Sequence, residues 1–192
     1  MQAKKHLPRF FLLVLTALLL LSLLGGAVNR ICRAARRAVI LDYALSAADE
    51  FAVPPGLVLA VAEVESDFKP DARSPVGAMG LMQLMPDTFR YLSDDKLFEH
   101  LPDAAITDKR VNLRYGACYL AYLYNRFGDW RVTLAAYNAG EGRVSLWLDD
   151  PRYGDGTRLL KIPFPETESY LTKVLDAYRR YNQKYNFKGA TL

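Results

Sequence analysis

The chain has 192 residues, of which 51% are hydrophobic and 24% charged, a composition typical of a folded globular protein. Its formal net charge is +4, but seven of its 25 basic residues and none of its 21 acidic residues lie in residues 1–37. The rest of the chain therefore holds 18 basic against 21 acidic residues, a net charge of −3. The positive charge belongs to the N-terminus and gives no support for nucleic-acid binding.

The two cysteines, Cys32 and Cys118, are too few for a disulfide framework. Histidine is equally scarce, with only His6 and His100, and the sequence contains no Cys-x-x-Cys motif. We therefore expect neither a metal site nor a cofactor.

Residues 10–28 form an uncharged, mostly apolar run of 19 residues, which is long enough to span a bilayer. Four arginines follow directly, and they argue against cleavage at the signal-like sequence Gly25-x-Ala27. Because basic residues flank both ends of the run, they give no firm orientation. We expect an uncleaved anchor in the cell membrane, with a linker up to residue 37 and the remaining chain outside the cytoplasm. The alternative is a protein secreted after signal cleavage.

Beyond residue 37 the apolar periodicity predicts helices, and no sustained alternating pattern predicts a strand. The first helix covers 38–51, and a second helix, opened by Pro54-Pro55, carries Glu65. A turn-rich loop over 66–80, a short helix over 86–92 and a polar connection over 93–107 follow.

A long central helix then runs from a cap at Thr107 or Asp108 to residue 127. Shorter helices cover 130–137 and 143–148, and a loop over 149–164 leads to a last helix over 165–185. The predicted fold class is therefore all-α, with one domain over 38–187 and a tail over 188–192.

Glu65 is predicted to lie on an apolar face of the second helix. At 100° per residue it falls within the arc of Val58, Val61 and Val64, whereas Glu63 falls on the opposite face together with Leu59 and Ala60. We therefore expect Glu63 to point to solvent and Glu65 to the core. Burial raises the pKa of a carboxyl group, which suits a general acid near neutral pH. The alternative is a helix end, at which Glu65 tips into water where the chain turns.

Four sequence motifs follow one another over roughly residues 40–185. They are Glu65-Ser66-x-Phe68, Ser74 ahead of Gly77-Ala78-Met79-Gly80-Leu81-Met82-Gln83-Leu84-Met85-Pro86, Ala136-Tyr137-Asn138-Ala139-Gly140, and Pro165-Glu166-Thr167 followed by Tyr170. In this order they resemble the motifs of the soluble lytic murein transglycosylase family. One motif alone would be weak support, whereas four in family order make the resemblance specific.

The resemblance implies a lysozyme-like, mostly helical domain that cleaves the MurNAc–GlcNAc β-1,4 bond in the glycan strands of peptidoglycan. The family does so without water and releases a 1,6-anhydro-MurNAc end. By resemblance, Glu65 is the catalytic residue: it protonates the glycosidic oxygen and then accepts the proton of the attacking C6 hydroxyl. This internal nucleophile removes the need for a second carboxylate. Asp67, the nearest alternative partner, is expected to be a turn residue.

The resemblance also implies a substrate-binding set of six residues, namely Ser74, Gln83, Met85, Tyr137, Asn138 and Glu166. Some of these residues have a structural alternative: Gln83 could satisfy loop backbone, and Glu166 could stabilise the start of the last helix. Asn138 is also expected to fix the turn that ends its helix.

Two positions leave the comparison with the family open. Met79, Met82 and Met85, three residues apart, fit core filling and sugar contact equally well. The family often has arginine two residues after the glutamate of the last motif, whereas this chain has Glu168. An ion pair at that edge of the cleft is therefore in doubt.

Two other functions are compatible with the sequence. One is a goose-type lysozyme activity, in which water replaces the internal hydroxyl. The other is a catalytically silent glycan-binding or membrane scaffold protein. We expect the enzyme, acting as a monomer on peptidoglycan and attached to the membrane through its N-terminal helix.

Overall fold

The computed structural model describes residues 7–97 and 99–187. The basic residues Lys4 and Lys5 and the predicted tail over 188–192 lie outside this part of the chain. Its helices are α1 (Leu7–Glu50), α2 (Pro55–Ser66), α3 (Pro86–Tyr91), α4 (Lys109–Phe127), α5 (Trp130–Ala139), α6 (Glu141–Asp149) and α7 (Pro165–Tyr185). A π-helical turn over Leu92–Lys96 and a 3-10 turn over Asp103–Thr107 lie between α3 and α4. The all-α prediction is confirmed.

The chain divides into two compact units between Val39 and Ile40. In the first unit α1 includes the residues that we expected to form a linker up to residue 37. Among the described residues, α1 alone is long and apolar enough to cross a membrane, although a signal sequence has the same properties. The apolar side chains in the N-terminal part of α1 are exposed: Leu12 and Leu20, for example, are 63% and 65% exposed.

The core of the second unit is formed by the end of α1 together with α2, α4, α5 and α7. Helix α2 packs mainly against α7, and each residue from Leu57 to Ala62 is at most 2% exposed. The expected solvent face of α2 is therefore wrong, because Leu59 and Ala60 are as buried as Val58 and Val61. Because α4 and α7 both pack on α2, the segment from Leu57 to Ala62 is apolar and buried on all sides, which a single-face pattern does not anticipate.

The predicted ends of α4 are confirmed. The Asp108 carboxylate accepts hydrogen bonds from the backbone N–H groups of Arg110 and Val111, both at 3.0 Å. Gly128 ends the helix with a φ of 69°, a conformation that glycine adopts without strain. Helix α4 contributes eight buried residues and is the central helix expected from the sequence.

Two boundaries near the predicted site differ from the prediction. Helix α5 runs to Ala139, so Asn138 lies within the helix and does not fix a turn after it. Helix α6 follows directly after Gly140, two residues earlier than expected. The polar connection over 93–107 is not an extended loop, since it contains most of the two short turns. Its apolar residues Leu97, Leu101 and Ile106 pack on a small second core.

Candidate active site

Glu65 lies in the last turn of α2, one residue before the end of that helix. The chain then turns sharply, because Asp67 and Phe68 both adopt positive φ values, 50° and 58°. Glu65 is partly buried and points towards α5 and α7, where it interacts with Tyr137 and Tyr170. Burial raises the pKa of Glu65 from 4.5 to about 7, while the nearby Tyr170 hydroxyl opposes the rise.

The two tyrosines beside Glu65 present their hydroxyl groups in different ways. The Tyr137 hydroxyl donates a hydrogen bond to the backbone oxygen of Met82 at 2.7 Å. The Tyr170 hydroxyl is buried next to Glu65 but makes no hydrogen bond of ordinary geometry. Burial, followed by the charge of Glu65, raises the pKa of both tyrosines well above 10, so both keep their protons at neutral pH.

The loop that faces Glu65 is held by a buried amide from α4. Asn112 is fully buried. Its Nδ2 donates hydrogen bonds to the backbone oxygens of Met79 and Ile106. Its Oδ1 accepts a hydrogen bond from the backbone N–H of Met82 at 2.7 Å. Gly80 lies directly against this amide with a φ of 84°, and a Cβ there would come within 2.3 Å of Nδ2. Only glycine fits at this position, because it has no Cβ and adopts a positive φ without strain.

Side chains of the loop itself complete its framework. The Ser66 hydroxyl donates to the backbone oxygen of Leu81 at 2.8 Å, tying the end of α2 to the loop. Gln83 Nε2 donates to the backbone oxygens of Ala72 and Gly80, at 3.1 and 2.9 Å. Ser74 Oγ accepts from the backbone N–H of Ala78 at 2.9 Å. The amide group of Gln83 therefore does satisfy loop backbone, the alternative to sugar contact that the sequence left open.

A cavity of about 220 Å³ opens beside this framework. It brings together four of the six predicted binding residues, and its full lining is Gln83, Leu84, Met85, Thr88, Tyr119, Tyr137, Asn138, Ala139 and Gly140. Glu65 itself does not line the cavity, but it interacts with Tyr137, which does line it. The three methionines separate in the structure: Met82 is fully buried in the core, Met79 is partly buried, and Met85 is 41% exposed at the cavity.

The other two predicted binding residues lie outside the cavity wall. Ser74 stabilises its own turn, as described above. Glu166 is exposed in the first turn of α7, where a negative charge is favoured. Its neighbour Thr167 donates a hydrogen bond to Asn138 Oδ1 at 2.9 Å, which joins the start of α7 to the cavity. Asn138 thus bridges two helices, in place of the turn-fixing role expected for it.

Sequence reasoning missed several residues that shape the site. Tyr170 belongs to the fourth motif, but the sequence predicts no role for it in the site, and its hydroxyl lies beside Glu65. Asn112 was not singled out, and Tyr119 and Thr88 were not distinguished from packing residues. A buried asparagine within an apolar helix is the one signal that could have been found, because such an amide needs several hydrogen-bond partners.

The chemistry available at this site is that of one carboxyl group with a pKa near neutrality. Asp67 is exposed on the turn after α2, and Glu63 pairs with Arg180 at 3.2 Å. Neither carboxylate contributes to the pKa shift of Glu65, whose causes are burial and Tyr170. Over residues 7–97 and 99–187, no group of three or more His, Cys, Asp or Glu side chains is placed to hold a metal ion.

A carboxyl group with a raised pKa is the group that serves as general acid in enzymes that cleave glycosidic bonds. A family model described as the transglycosylase SLT domain matches residues 42–159. This chain therefore belongs to the transglycosylase SLT domain family, and the resemblance seen in the four motifs is confirmed.

Known relatives carry this domain within longer proteins. The chain is 40% identical over 137 residues to the soluble lytic murein transglycosylase of Escherichia coli K12, an alignment that covers 67% of this chain and 21% of that protein. It is 31% identical over 157 residues to membrane-bound lytic murein transglycosylase C of Actinobacillus pleuropneumoniae. This alignment covers 70% of this chain and 43% of that protein.

Solved structures agree with this assignment. An inactive mutant of the lytic transglycosylase Slt from Pseudomonas aeruginosa matches with a TM-score of 0.67 and 38% identity, covering 76% of this chain and 24% of that one. The 70-kDa soluble lytic transglycosylase of Escherichia coli matches with a TM-score of 0.69 and 33% identity. This match covers 77% of this chain and 24% of that one. The chain thus spans about a quarter of the length of these proteins.

Proposed function

We propose that this protein is a lytic transglycosylase that cleaves the MurNAc–GlcNAc β-1,4 bond of peptidoglycan and leaves a 1,6-anhydro-MurNAc end. The observation that carries the proposal is the partly buried Glu65. Burial raises its pKa to about 7, and no second carboxylate contributes to this rise. In the retaining and inverting schemes of glycosidases a second carboxylate is the nucleophile or activates water. A single carboxyl group suits an internal nucleophile.

In the first step the protonated Glu65 donates its proton to the glycosidic oxygen as the C1–O bond breaks. A pKa near 7 leaves a large fraction of Glu65 protonated at neutral pH and makes its proton easy to transfer. The departing sugar carries that proton away as a hydroxyl group, and Glu65 is left as a carboxylate.

In the second step the Glu65 carboxylate accepts the proton of the C6 hydroxyl, whose oxygen attacks C1 of the same sugar. The ring closes, Glu65 is protonated again, and no water is consumed. Because the nucleophile belongs to the substrate, the reaction avoids the entropic cost of bringing in a second molecule. The Tyr170 hydroxyl stays protonated and can stabilise the transient carboxylate, whereas the Tyr137 hydroxyl already donates to the backbone oxygen of Met82.

Substrate binding is proposed at the cavity beside Glu65. Met85 and Tyr137 offer apolar and aromatic surface to a sugar ring, and Asn138 and the carbonyl oxygen of Gln83 offer polar groups to an N-acetyl group. Ser74 and Glu166 are proposed to contact units of the strand outside this cavity. Support for one essential glutamate comes from the Pseudomonas aeruginosa relative, whose inactive mutant carries glutamine in place of glutamate.

The mass of the digestion products tests the proposal. Purified peptidoglycan treated with the full-length protein should release ends that are one water lighter than hydrolysed ends. Reducing ends alone would instead indicate a goose-type lysozyme activity. If the wild-type protein and Glu65→Gln are equally inert on cell walls but both bind them, the scaffold function is correct.

We also propose that α1 anchors the protein in the cell membrane, with the catalytic unit outside the cytoplasm, where peptidoglycan lies. The apolar side chains in the N-terminal part of α1 are exposed, and the helix is long enough to span the bilayer. A variant that lacks residues 1–37 should move from the membrane to the soluble fraction. Membrane retention of that variant would contradict the anchor, and a shortened mature wild-type protein would indicate signal cleavage.

A further inference from the structure

Both polar backbone groups of Met82 are bonded to side chains that come from other helices. The Met82 N–H donates to Asn112 Oδ1 of α4 at 2.7 Å, and the Met82 carbonyl oxygen accepts from the Tyr137 hydroxyl of α5, also at 2.7 Å. Tyr137 in turn lies close enough to Glu65 for the charge of Glu65 to act on it. A continuous series of interactions therefore leads from Asn112 to the proposed proton donor.

The loop around Met82 depends on these side chains because it is a tight turn. Met79 and Leu84 close the turn with two backbone hydrogen bonds, at 2.9 and 3.0 Å, and the Gln83 N–H donates to the Gly80 carbonyl oxygen at 3.3 Å. Within residues 79–84, all of which the structure describes, the backbone bonds do not include the N–H or the carbonyl group of Met82. Met82 is fully buried, so both groups need partners from outside the turn.

Helix α4 fixes Met82 at a second point. Gly116 is buried one turn after Asn112, and a Cβ there would come within 2.2 Å of the sulfur atom of Met82. Glycine lowers the stability of a helix interior, and the close approach of Met82 explains its presence here. Asn112 thus holds the backbone of Met82 while Gly116 makes room for its side chain.

The bond to Met82 decides where the Tyr137 proton is. A tyrosine hydroxyl has one proton to donate, and Tyr137 donates it to the Met82 carbonyl oxygen. That proton is therefore not available to the Glu65 carboxylate. A Tyr137 hydroxyl released from Met82 would be free to donate to Glu65 and would favour the charged form of that carboxyl group.

The titratable groups around Glu65 come from several helices. Tyr170 of α7 acts on Glu65 directly, because its hydroxyl lowers the pKa that burial has raised. Tyr119 of α4 acts on Tyr137 and does not contribute to the pKa of Glu65. Glu63, on the same helix as Glu65, does not contribute either. Tyr137 is thus the neighbour whose effect on Glu65 depends on a backbone contact.

We propose that Asn112 is a positioning residue for the reaction: by fixing Met82, it keeps the Tyr137 hydroxyl on the Met82 carbonyl oxygen and away from the Glu65 carboxyl group. Glu65 thereby keeps its proton until the glycosidic oxygen takes it. Asn112 does not line the cavity, so its effect on activity passes through Met82 and Tyr137. The inference rests on the proposed function, because that function makes Glu65 the acid.

The titration of Glu65 tests this role without any need for turnover. The full-length protein in detergent micelles, labelled with ¹³C at its glutamate carboxyl groups, is titrated by NMR, and the resonance absent from Glu65→Gln is that of Glu65. The shorter side chain of Asn112→Ser should release Met82 and Tyr137. Glu65 should then titrate about one pH unit lower than in wild type. The alkaline limb of the pH profile of kcat/KM should move to lower pH by the same amount.

A double variant separates this effect from a general loosening of the loop. In the Tyr137→Phe protein no hydroxyl can be released, so adding Asn112→Ser should not change the titration of Glu65. A shift of the same size with and without the Tyr137 hydroxyl would contradict the proposal. An unchanged titration in Asn112→Ser with Tyr137 present would contradict it as well.

Ser93 offers a matched control. It is buried, and its hydroxyl accepts from the backbone N–H of Leu101 at 2.8 Å, so it too holds a loop by its backbone. Ser93→Ala should lose a comparable bond and leave the titration of Glu65 as in wild type. A shift in Ser93→Ala equal to that in Asn112→Ser would show that any loosened loop has this effect, and the proposal would be wrong.

Tyr137→Phe alone keeps the inference testable if Asn112→Ser fails to fold. Because the Tyr137 hydroxyl is bonded to Met82, its removal should leave the titration of Glu65 nearly unchanged. A rise in the pKa of Glu65, as expected for Tyr170→Phe, would show that Tyr137 donates to Glu65 and would overturn the proposal. Products without anhydro ends would contradict the transglycosylase reaction, whereas the titration results would still decide the role of Asn112.

Discussion

Two carboxylates lie two residues apart on α2, and their surroundings differ. Glu63 forms an ion pair with Arg180 of α7 and keeps a side chain that is 20% exposed. Glu65 faces the hydroxyl groups of Tyr137 and Tyr170, and burial raises its pKa to about 7. The same helix therefore presents one glutamate as a structural ion and the other, the proposed proton donor, as a carboxyl group with a pKa near neutrality. The neighbours supplied by α5 and α7 make the difference.

The largest expected effect follows from removing the proton donor. Glu65→Gln should lower the rate of glycan cleavage by about a thousandfold or more, because general acid and base catalysis are lost together. Glu63→Gln, the matched variant on the same helix, should keep most of the activity. Release of soluble muropeptides from cell walls measures both rates, and comparable losses in the two variants would remove the distinction between the two glutamates.

The second prediction concerns stability as a function of pH. Because the folded-state pKa of Glu65 lies above the unfolded value, the folded state binds the proton more tightly, and its stability falls as pH rises from about 4.5 to 7. Above that window the cost is at most about 3 kcal/mol. Glu65→Gln should remove this cost of ionising Glu65 in the folded state. The variant should therefore be more stable than wild type at pH 8 and nearly as stable as wild type at pH 4.

Thermal unfolding at the two pH values checks this sign. The Glu63→Gln protein controls for general effects of pH on the fold. A Glu65→Gln protein that is no more stable than wild type at pH 8 would indicate that Glu65 ionises at an ordinary pH, as an exposed carboxyl group does.

The third prediction concerns Tyr170. Its hydroxyl lowers the pKa of Glu65 against the effect of burial, so Tyr170→Phe should raise that pKa. Activity that requires protonated Glu65 should then persist to higher pH. The alkaline limb of the pH profile of kcat/KM should therefore lie at higher pH than in wild type. Stability should not fall, because the hydroxyl has no hydrogen bond of ordinary geometry to lose.

Tyr178→Phe is the control for this experiment, since Tyr178 is another buried tyrosine on the inner face of α7. Its pH profile should match that of wild type. A Tyr170→Phe profile that coincides with both would show that the Tyr170 hydroxyl does not act on Glu65.

The smallest expected effect belongs to the ion pair of Glu63. The Arg180 side chain is 61% exposed, so solvent screens the pair and its loss should cost about 1 kcal/mol or less. Denaturant unfolding of Glu63→Gln and Arg180→Gln should give similar small decreases in the free energy of unfolding. A decrease of several kcal/mol would instead mean that Glu63 is held as tightly as a core group.

Local sequence signals determined the helical fold and most helix ends of this protein. Asp108 and Gly128 mark the ends of α4, and prolines open α2, α3 and α7, because capping and φ restriction act over only a few residues. The four motifs likewise identified the family and singled out Glu65 within the span that the family model matches.

Only the tertiary structure decided what surrounds Glu65. The solvent face expected for Leu59 and Ala60 is absent, since α4 and α7 both pack on α2. Tyr170 comes from more than 100 residues further along the chain, and Asn112 holds the loop from α4. Helical periodicity shows which residues share a face, but it does not show which element covers that face. The pKa of Glu65 depends on that covering, because desolvation and neighbouring hydroxyl groups act through space.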